Sequence, residues 1–407
     1  MLAEGSDAGR RPMLRALSLA LALCCAAPIM AADAPKPVAA TAPMTRLAIG
    51  FIGTDDPPAT PLSFLDPVIR DGALMGVRLG IQDGNVTGRF LKKEFTLAEG
   101  REGDVDALLG QGVRFIIADL PSDALLRVAD KAAAKGAVVI NARARDDGLR
   151  NAQCRANMLH TIPSRRMLAD ALGQYLVTRR WTSWFLVTGA GPGDKPFADA
   201  MRRTAKRLGA KIVEEKDWTF DVGHARTDDG FSNERDVVST FTRGADHDVL
   251  IVADEEGAFG DFLSYRTARP RPVAGTAELT PTAWSRVFEQ WGGTQLQNRF
   301  QALAGRVMTE RDYAAWTAVR AVTEAAGKVK GGDAAAVVVA LKDPGFTLAA
   351  FKGQALSFRP WDGQLRQPIL ITSPRLLVSV SPQEGYLHQR TPLDSLGDDE
   401  GESLCRR

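Results

Sequence analysis

The chain has 407 residues, 45% hydrophobic and 25% charged, with a formal net charge of +2. That is ordinary globular composition, long enough for two domains with separate cores. Charge this close to balance, with no long basic stripe, argues against a nucleic-acid binder.

The first residues read as an export signal. Arg10, Arg11 and Arg15 precede an apolar run from Ala16 to Ala27 that is too short for a stable membrane anchor. Ala32-Asp33-Ala34 offers a cleavage site, so residues 1–34 are expected to be removed and the mature protein to be periplasmic. Met13 is an alternative start, and Arg10-Arg11 leaves general and twin-arginine export both open. Cys24 and Cys25 leave with the signal; Cys154 and Cys405 remain and are expected to pair in an oxidising compartment, tethering a polar tail from Pro382 to Arg407.

Leu47 to Gly53 is an apolar run of strand length. A proline-broken loop, Thr54 to Pro61, follows, and then a helical pattern through Ile81 with Gly84-Asn85 past its end. Strands at Phe95–Leu97, Val113–Ala118 and Ala137–Asn141 alternate with helices beginning at Asp104 and Ser122. That alternation predicts a parallel sheet with right-handed crossovers.

His160 to Ser164 interrupts the rhythm, and Ser164 caps a helix from Arg165 to Thr178, read as the first passage between two lobes. The alternation then restarts. Strands at Ser183–Thr188, Ala210–Glu214, Asp248–Ala253 and Pro272–Thr276 are separated by helices at Pro196–Leu208, Val237–Thr242 and Phe259–Thr267, with a surface loop at Asp221–Asn233. Thr280-Pro281 has the form of a helix start. Tyr313–Lys328 and Ala334–Leu341 are helical. Ala355–Phe358, Gln367–Thr372 and Leu376–Val380 read as strands, with a turn at Trp361-Asp362-Gly363. The expected fold is α/β: two Rossmann-like lobes with parallel sheets joined by a hinge.

Catalytic signatures are absent. His160, His224, His247 and His388 lack metal-ligand spacing, and no G-x-S-x-G elbow occurs. Gly189 to Asp194 follows a strand as a dinucleotide loop would, but Asp194 stands at the third glycine position and Pro192 removes a donor. The chain is therefore read as a non-enzyme without metal or cofactor. The informative polar groups follow strands. Arg143 and Arg145, after Asn141, could grip a carboxylate or take part in salt bridges. Asp254 and Glu255 could grip a cationic group or simply face solvent.

An export signal and two α/β sets make the chain resemble a type I periplasmic binding protein of the Leu/Ile/Val-binding branch. The helices from Tyr313 and Ala334 followed by Phe358-Arg359-Pro360-Trp361-Asp362-Gly363 are similar to that branch's closing segment. Ile49 to Thr54, Cys154-Arg155-Ala156-Asn157, His160 to Arg165 and Tyr386 to Arg390 resemble the subfamily found with PQQ-dependent alcohol oxidation systems. The resemblance implies lobe 1 over 46–162 plus about 298–350, lobe 2 over 163–297 plus about 351–381, and a tail over 382–407. It also implies a small-molecule ligand between the lobes, an ABC permease partner and a monomer.

The family's contact loops fall at Leu120–Asp123 and Asn141–Arg145, and at Asp194–Phe197, Asp254–Glu256 and Thr276–Glu278. The ligand residues expected are Ser122, Asn141, Arg143, Arg145, Lys195, Asp254, Glu255 and Glu278. Arg143 and Arg145 stand where amino-acid binders carry a small hydroxyl-bearing loop, so an organic acid or a PQQ-like molecule is expected beside an amino acid. A ligand sensor or a PQQ-binding protein without a transport role is the alternative.

Overall fold

The computed structural model describes residues 44–54, 68–220 and 237–406. All belong to one unit that runs from Pro43 to Arg407. The expected signal (1–34), the greater part of the loop after Thr54 and the expected loop Asp221–Asn233 lie outside the described residues.

The apolar run at Leu47 forms strand β1 (Thr45–Gly53), buried from Ile49 to Gly53. It pairs in parallel with β2 (Lys93–Arg101) on one side and β3 (Phe115–Asp119) on the other. β4 (Val138–Asn141) and β5 (Met158–His160) complete a parallel sheet of order β2-β1-β3-β4-β5. β3 and β4 are buried on both faces, which is why they read as unbroken apolar runs. Ile117 and Ile140 join one core, and their neighbours Ile116 and Val139 join a second core shared with α2 (Val105–Gly110) and α3 (Ser122–Ala133).

Helix α1 (Leu74–Leu91) runs through Gly84-Asn85 instead of ending there. The reason is tertiary. Gly76, Gly80 and Gly84 lie at helical spacing against α8 (Glu310–Lys328), where an added Cβ would come within 2.0 Å of the Asp312 carbonyl oxygen, 2.7 Å of Val319 Cβ and 2.6 Å of Thr323 Cγ2. The glycines let two helix backbones meet, and Asn85 is held on the Phe95 backbone by a donated and an accepted bond of 2.9 and 2.7 Å.

A second parallel sheet has the order β7-β6-β8-β9, from β6 (Ser183–Thr188), β7 (Lys211–Asp217), β8 (Val249–Ala253) and β9 (Val273–Gly275). Its core packs against α4 (Arg165–Thr178) and α5 (Asp194–Leu208). Ser164 caps α4 as expected, accepting from the Met167 N–H. The helix expected over Phe259–Thr267 is one turn, α6 (Gly260–Leu263), because Ser264 leaves the helical region and Tyr265 takes a positive φ of 62°.

Thr280-Pro281-Thr282 is not a helix start but strand β10, paired antiparallel with β14 (Ile369–Ser373). β10 is the edge of the sheet β10-β14-β15, where a proline's missing donor costs nothing. β15 (Leu376–Ser381) closes that sheet. Between them lie α7 (Gly293–Ala304), α8, α9 (Ala334–Lys342), and the short strands β11 (Leu348–Ala349), β12 (Ala355–Phe358) and β13 (Leu365–Arg366).

The core around α8 draws on segments far apart in the chain. Ala283, Trp284, Phe288 and Leu296 belong to it, as do Leu356, Phe358 and Leu365. Trp284 stacks on Tyr313 of α8 with centroids 4.8 Å apart, and that contact draws the segment after β10 away from the second sheet. The chain therefore passes between the two cores near Ile162, between Leu279 and Ala283, and after Leu365 into β14, whose Leu370 joins the first core and whose Ile369 and Ile371 join the second. These passages are bonded to one another: Gln364 Nε2 donates to Ile162 O at 3.1 Å, Gln367 Nε2 to Thr161 O at 2.8 Å, and Lys352 Nζ to Ala283 O and Pro368 O.

Cys154 and Cys405 are joined as a disulfide with their Cα atoms 5.6 Å apart. The tail after Pro382 is consequently part of the fold, with Leu393 and Leu396 buried.

Candidate ligand site

The carboxyl ends of the two parallel sheets carry the loops that meet each other. After β4, Asn141 is fully buried and shapes its own loop: Oδ1 accepts from the Arg143 and Ala144 N–H groups at 3.0 and 2.8 Å, and Nδ2 donates to Ala144 O at 2.7 Å. That turn holds Arg143 and Arg145 on a fixed backbone. Arg143 is half-buried on this loop. Arg145 reaches Glu310, the first residue of α8, and lies 3.9 Å from Glu255 Oε1.

Glu255 follows β8 and belongs to the opposite loop. Arg165, the first residue of α4, grips it with both arms, Nε to Oε1 at 3.0 Å and Nη2 to Oε2 at 2.7 Å. The remaining Nη1 of Arg165 donates to Asp146 Oδ1 at 2.7 Å, and Asp146 Oδ2 accepts from the Ser122 hydroxyl. A chain of charge thus runs from Ser122 through Asp146, Arg165, Glu255 and Arg145 to Glu310. Two of its links, Arg165–Glu255 and Arg145–Glu255, join residues that follow strands of the first sheet to the loop after β8.

The electrostatics follow the geometry. Burial works against the charge of Arg145 and Arg165, but Glu310 and Glu255 around the one, and Glu255 and Asp146 around the other, more than offset it and hold both pKa values above the usual arginine value. Asp146 is pushed up by burial, yet the Ser122 hydroxyl and Arg165 leave it below the usual carboxylate value. Arg150, wholly buried behind this loop, is brought down to about 10 by desolvation. Its guanidinium donates to Ala144 O, Ile162 O and Gln364 Oε1, so it fastens the loop to the passage between cores.

The remaining expected residues are placed as follows. Asp254 is buried and accepts from the N–H groups of Ala258, Phe259 and Gly260 at 2.9, 2.8 and 2.7 Å, which ties the loop after β8 to the start of α6. Lys195 is exposed on the first turn of α5. Its neighbour Asp194 is buried, accepting from the Gly191 and Glu255 N–H groups, and burial raises its pKa. Gly193 lies directly under the Glu255 carboxylate, where an added Cβ would come within 2.1 Å of Oε2. Glu278 sits apart from these groups, with Tyr265, Arg271 and Ser373 around a cavity of about 620 Å³ at the other end of β9.

Of the eight residues, the structure therefore gathers Ser122, Arg145 and Glu255 into one cluster and adds Asp146, Arg165 and Glu310. Beside the cluster, a groove of about 460 Å³ opens between Ser122, Asp146 and Gly148 on one side and Arg165, Pro196 and Arg203 on the other. Arg165 had a sequence signal: Arg165 and Arg166 occupy the first turn of a helix with no acid there, the wrong sign for the helix dipole. Both must be matched by distant carboxylates, and they are, by Asp146 with Glu255 and by Asp398. Among the described residues no group of histidines, cysteines and carboxylates is arranged to hold a metal ion, and no helix is long and apolar enough to cross a membrane.

A family model described as periplasmic binding protein matches residues 102–225, which span the end of the first sheet and the beginning of the second. Solved structures match over most of the chain. A branched-chain amino acid ABC transporter periplasmic ligand-binding protein from Burkholderia xenovorans superposes with a TM-score of 0.65 at 15% identity, covering 89% of this chain and 99% of its own. A periplasmic binding protein from Burkholderia mallei gives 0.59 at 17% identity, covering 89% and 98%. A leucine-, isoleucine-, valine-, threonine- and alanine-binding protein from Brucella ovis, in a closed conformation, gives 0.63 at 14%, covering 82% and 95%. The two-lobed α/β fold is that of type I periplasmic binding proteins. No curated protein is significantly similar in sequence.

Proposed function

We propose that this protein is the periplasmic solute-binding component of an ABC importer and that it holds a small molecule between its lobes at the Ser122–Glu310 cluster. One observation carries the reading: loops from the carboxyl ends of both sheets meet there, through Arg145–Glu255 and Arg165–Glu255. Ligands of doubly wound sheets bind at that edge. The fold, the family model over residues 102–225 and the ABC-transporter neighbours support the class. The disulfide suits an oxidising compartment such as the periplasm.

The ligand enters by exchanging the cross-lobe ion pairs for its own polar groups. Arg145 and Arg165 supply donors, and Asp146 and Glu255 supply acceptors. Lobe 1 is drawn from the first sheet together with the Ala283–Leu365 region, and lobe 2 from the second sheet with β14 and β15. A link to quinoprotein alcohol oxidation rests on the sequence strings alone, and a PQQ-like ligand stands as one arm of the test.

The test is a thermal-shift screen with amino acids, organic acids and the quinone cofactor. A ligand at ~100 times its Kd adds about 2.7 kcal/mol of stability. A hit lost in both Arg145→Met and Glu255→Gln supports the site. A hit unaffected by both places the ligand elsewhere, and no hit in any class overturns the reading.

A further inference from the structure

The end of the chain connects two bodies that the fold also joins at its passages and through the ion pairs to Glu255. On the second-sheet side, Leu396 is buried in the core of α4 and α5. Gly397 donates its N–H to Asp170 Oδ2 at 2.9 Å and accepts at its carbonyl from Arg207 Nη1 at 2.8 Å. Its φ of +83° and its contact with α4, 2.8 Å from an added Cβ to Met167 Cγ, leave room for glycine alone. Asp398 receives Arg166 Nη1 at 2.6 Å and Arg203 Nη2 at 3.1 Å.

A few residues later the chain is fastened to the first-sheet side. Ser403 Oγ donates to Arg150 O at 3.2 Å, the Leu404 N–H donates to Asn151 Oδ1 at 2.9 Å, and Cys405 is bonded to Cys154. Cys154 lies just before Arg155, which pairs with Asp130 of α3. Upstream, Asp394 is wholly buried between Arg359 and Arg366, which flank the turn that leads into the third passage.

We propose that residues 394–405 form a strap, closed by the Cys154–Cys405 disulfide, that limits how far the two lobes open. This rests on the two-lobe, hinge-closing reading above. Three passages side by side act as a hinge, and a fourth connection packed against them and closed by a covalent bond restricts rotation about it. Glu402 still holds Arg203 Nη2 at 2.8 Å while the next residue, Ser403, is already on Arg150, so the crossing is short and opening of the lobes draws it taut. A disulfide that served only to stabilise the fold would need no second set of anchors on the other lobe.

The test uses the full mature chain without solute. Spin labels are attached through thioether bonds at Lys131→Cys on α3 and Lys206→Cys on α5, both exposed, and the distance distribution is read by pulsed electron resonance. With the disulfide intact the distribution should be narrow. In the Cys154→Ser/Cys405→Ser background it should shift to longer distance and widen, and Asp398→Asn added to that background should widen it further. If the serine pair does not fold, the labelled native protein treated with a phosphine reductant gives the same comparison. Identical distributions in the oxidised and the opened forms would overturn the strap. Because no solute is present, that result is independent of the ligand screen.

Discussion

Two arginine–carboxylate clusters use the same chemistry at different depths. The cluster at the sheet ends, Asp146–Arg165–Glu255–Arg145–Glu310, is partly open to solvent, and Arg145 keeps 31% of its side-chain surface exposed. The cluster beside the third passage, Arg359–Asp394–Arg366, is sealed, with Asp394 at 0% exposure. Exposed pairs are weak and exchange with water or a ligand, whereas a buried pair cannot lose one partner without stranding a charge. The first suits a surface that opens; the second suits a joint that stays shut.

Removing Asp394 should have the largest effect. Asp394→Ala takes from two buried guanidiniums the carboxylate they share and should cost about 3–5 kcal/mol of stability, read from urea denaturation. A variant as stable as the parent would mean that this joint is no more sealed than the cleft.

Lys352 tests the same seal with pH. It is buried among Phe288 and Tyr313, donates to Ala283 O and Pro368 O, and desolvation lowers its pKa from 10.5 to about 7. Between those values the unfolded chain carries a proton that the folded chain does not, so stability rises with pH across that window. Below pH 7 both states are protonated and the penalty is constant. Lys352→Met should flatten the rise, and parallel curves for the two proteins would show a lysine that stays charged.

The Cys154→Ser/Cys405→Ser pair should lower stability by about 2–4 kcal/mol, measured by calorimetry against the oxidised parent. Glu255→Gln should do least, about 1–2 kcal/mol, since Arg165 keeps Asp146 and Arg145 keeps Glu310. Its loss should shrink in high salt, unlike that of Asp394→Ala. Equal salt dependence in the two variants would erase the contrast between the clusters.

Local signals were legible in the sequence wherever a residue acts on its near neighbours. The buried strands β1, β3 and β4, the Ser164 cap, and the alternation of strand and helix all follow from periodicity and short-range hydrogen bonding. Those features alone led to two parallel-sheet lobes and to the loops after β4 and β8 as the place to look. What each side chain does there was decided by the tertiary structure. Asn141 and Asp254 stand at the expected strand ends, yet their polar atoms are spent on their own loops. Arg145 finds Glu310 across 165 positions of sequence, and no spacing rule reaches that far. Gly84 read as a helix stop because its partner, Thr323, is invisible to local pattern, and Pro281 read as a helix start because its strand partner, Ile371, comes much later in the chain. Backbone conformation is set largely by what a residue costs its neighbours, so the sequence determined the elements. Ion pairs and close helix contacts are set by what the fold brings opposite, so only the tertiary structure could assign them.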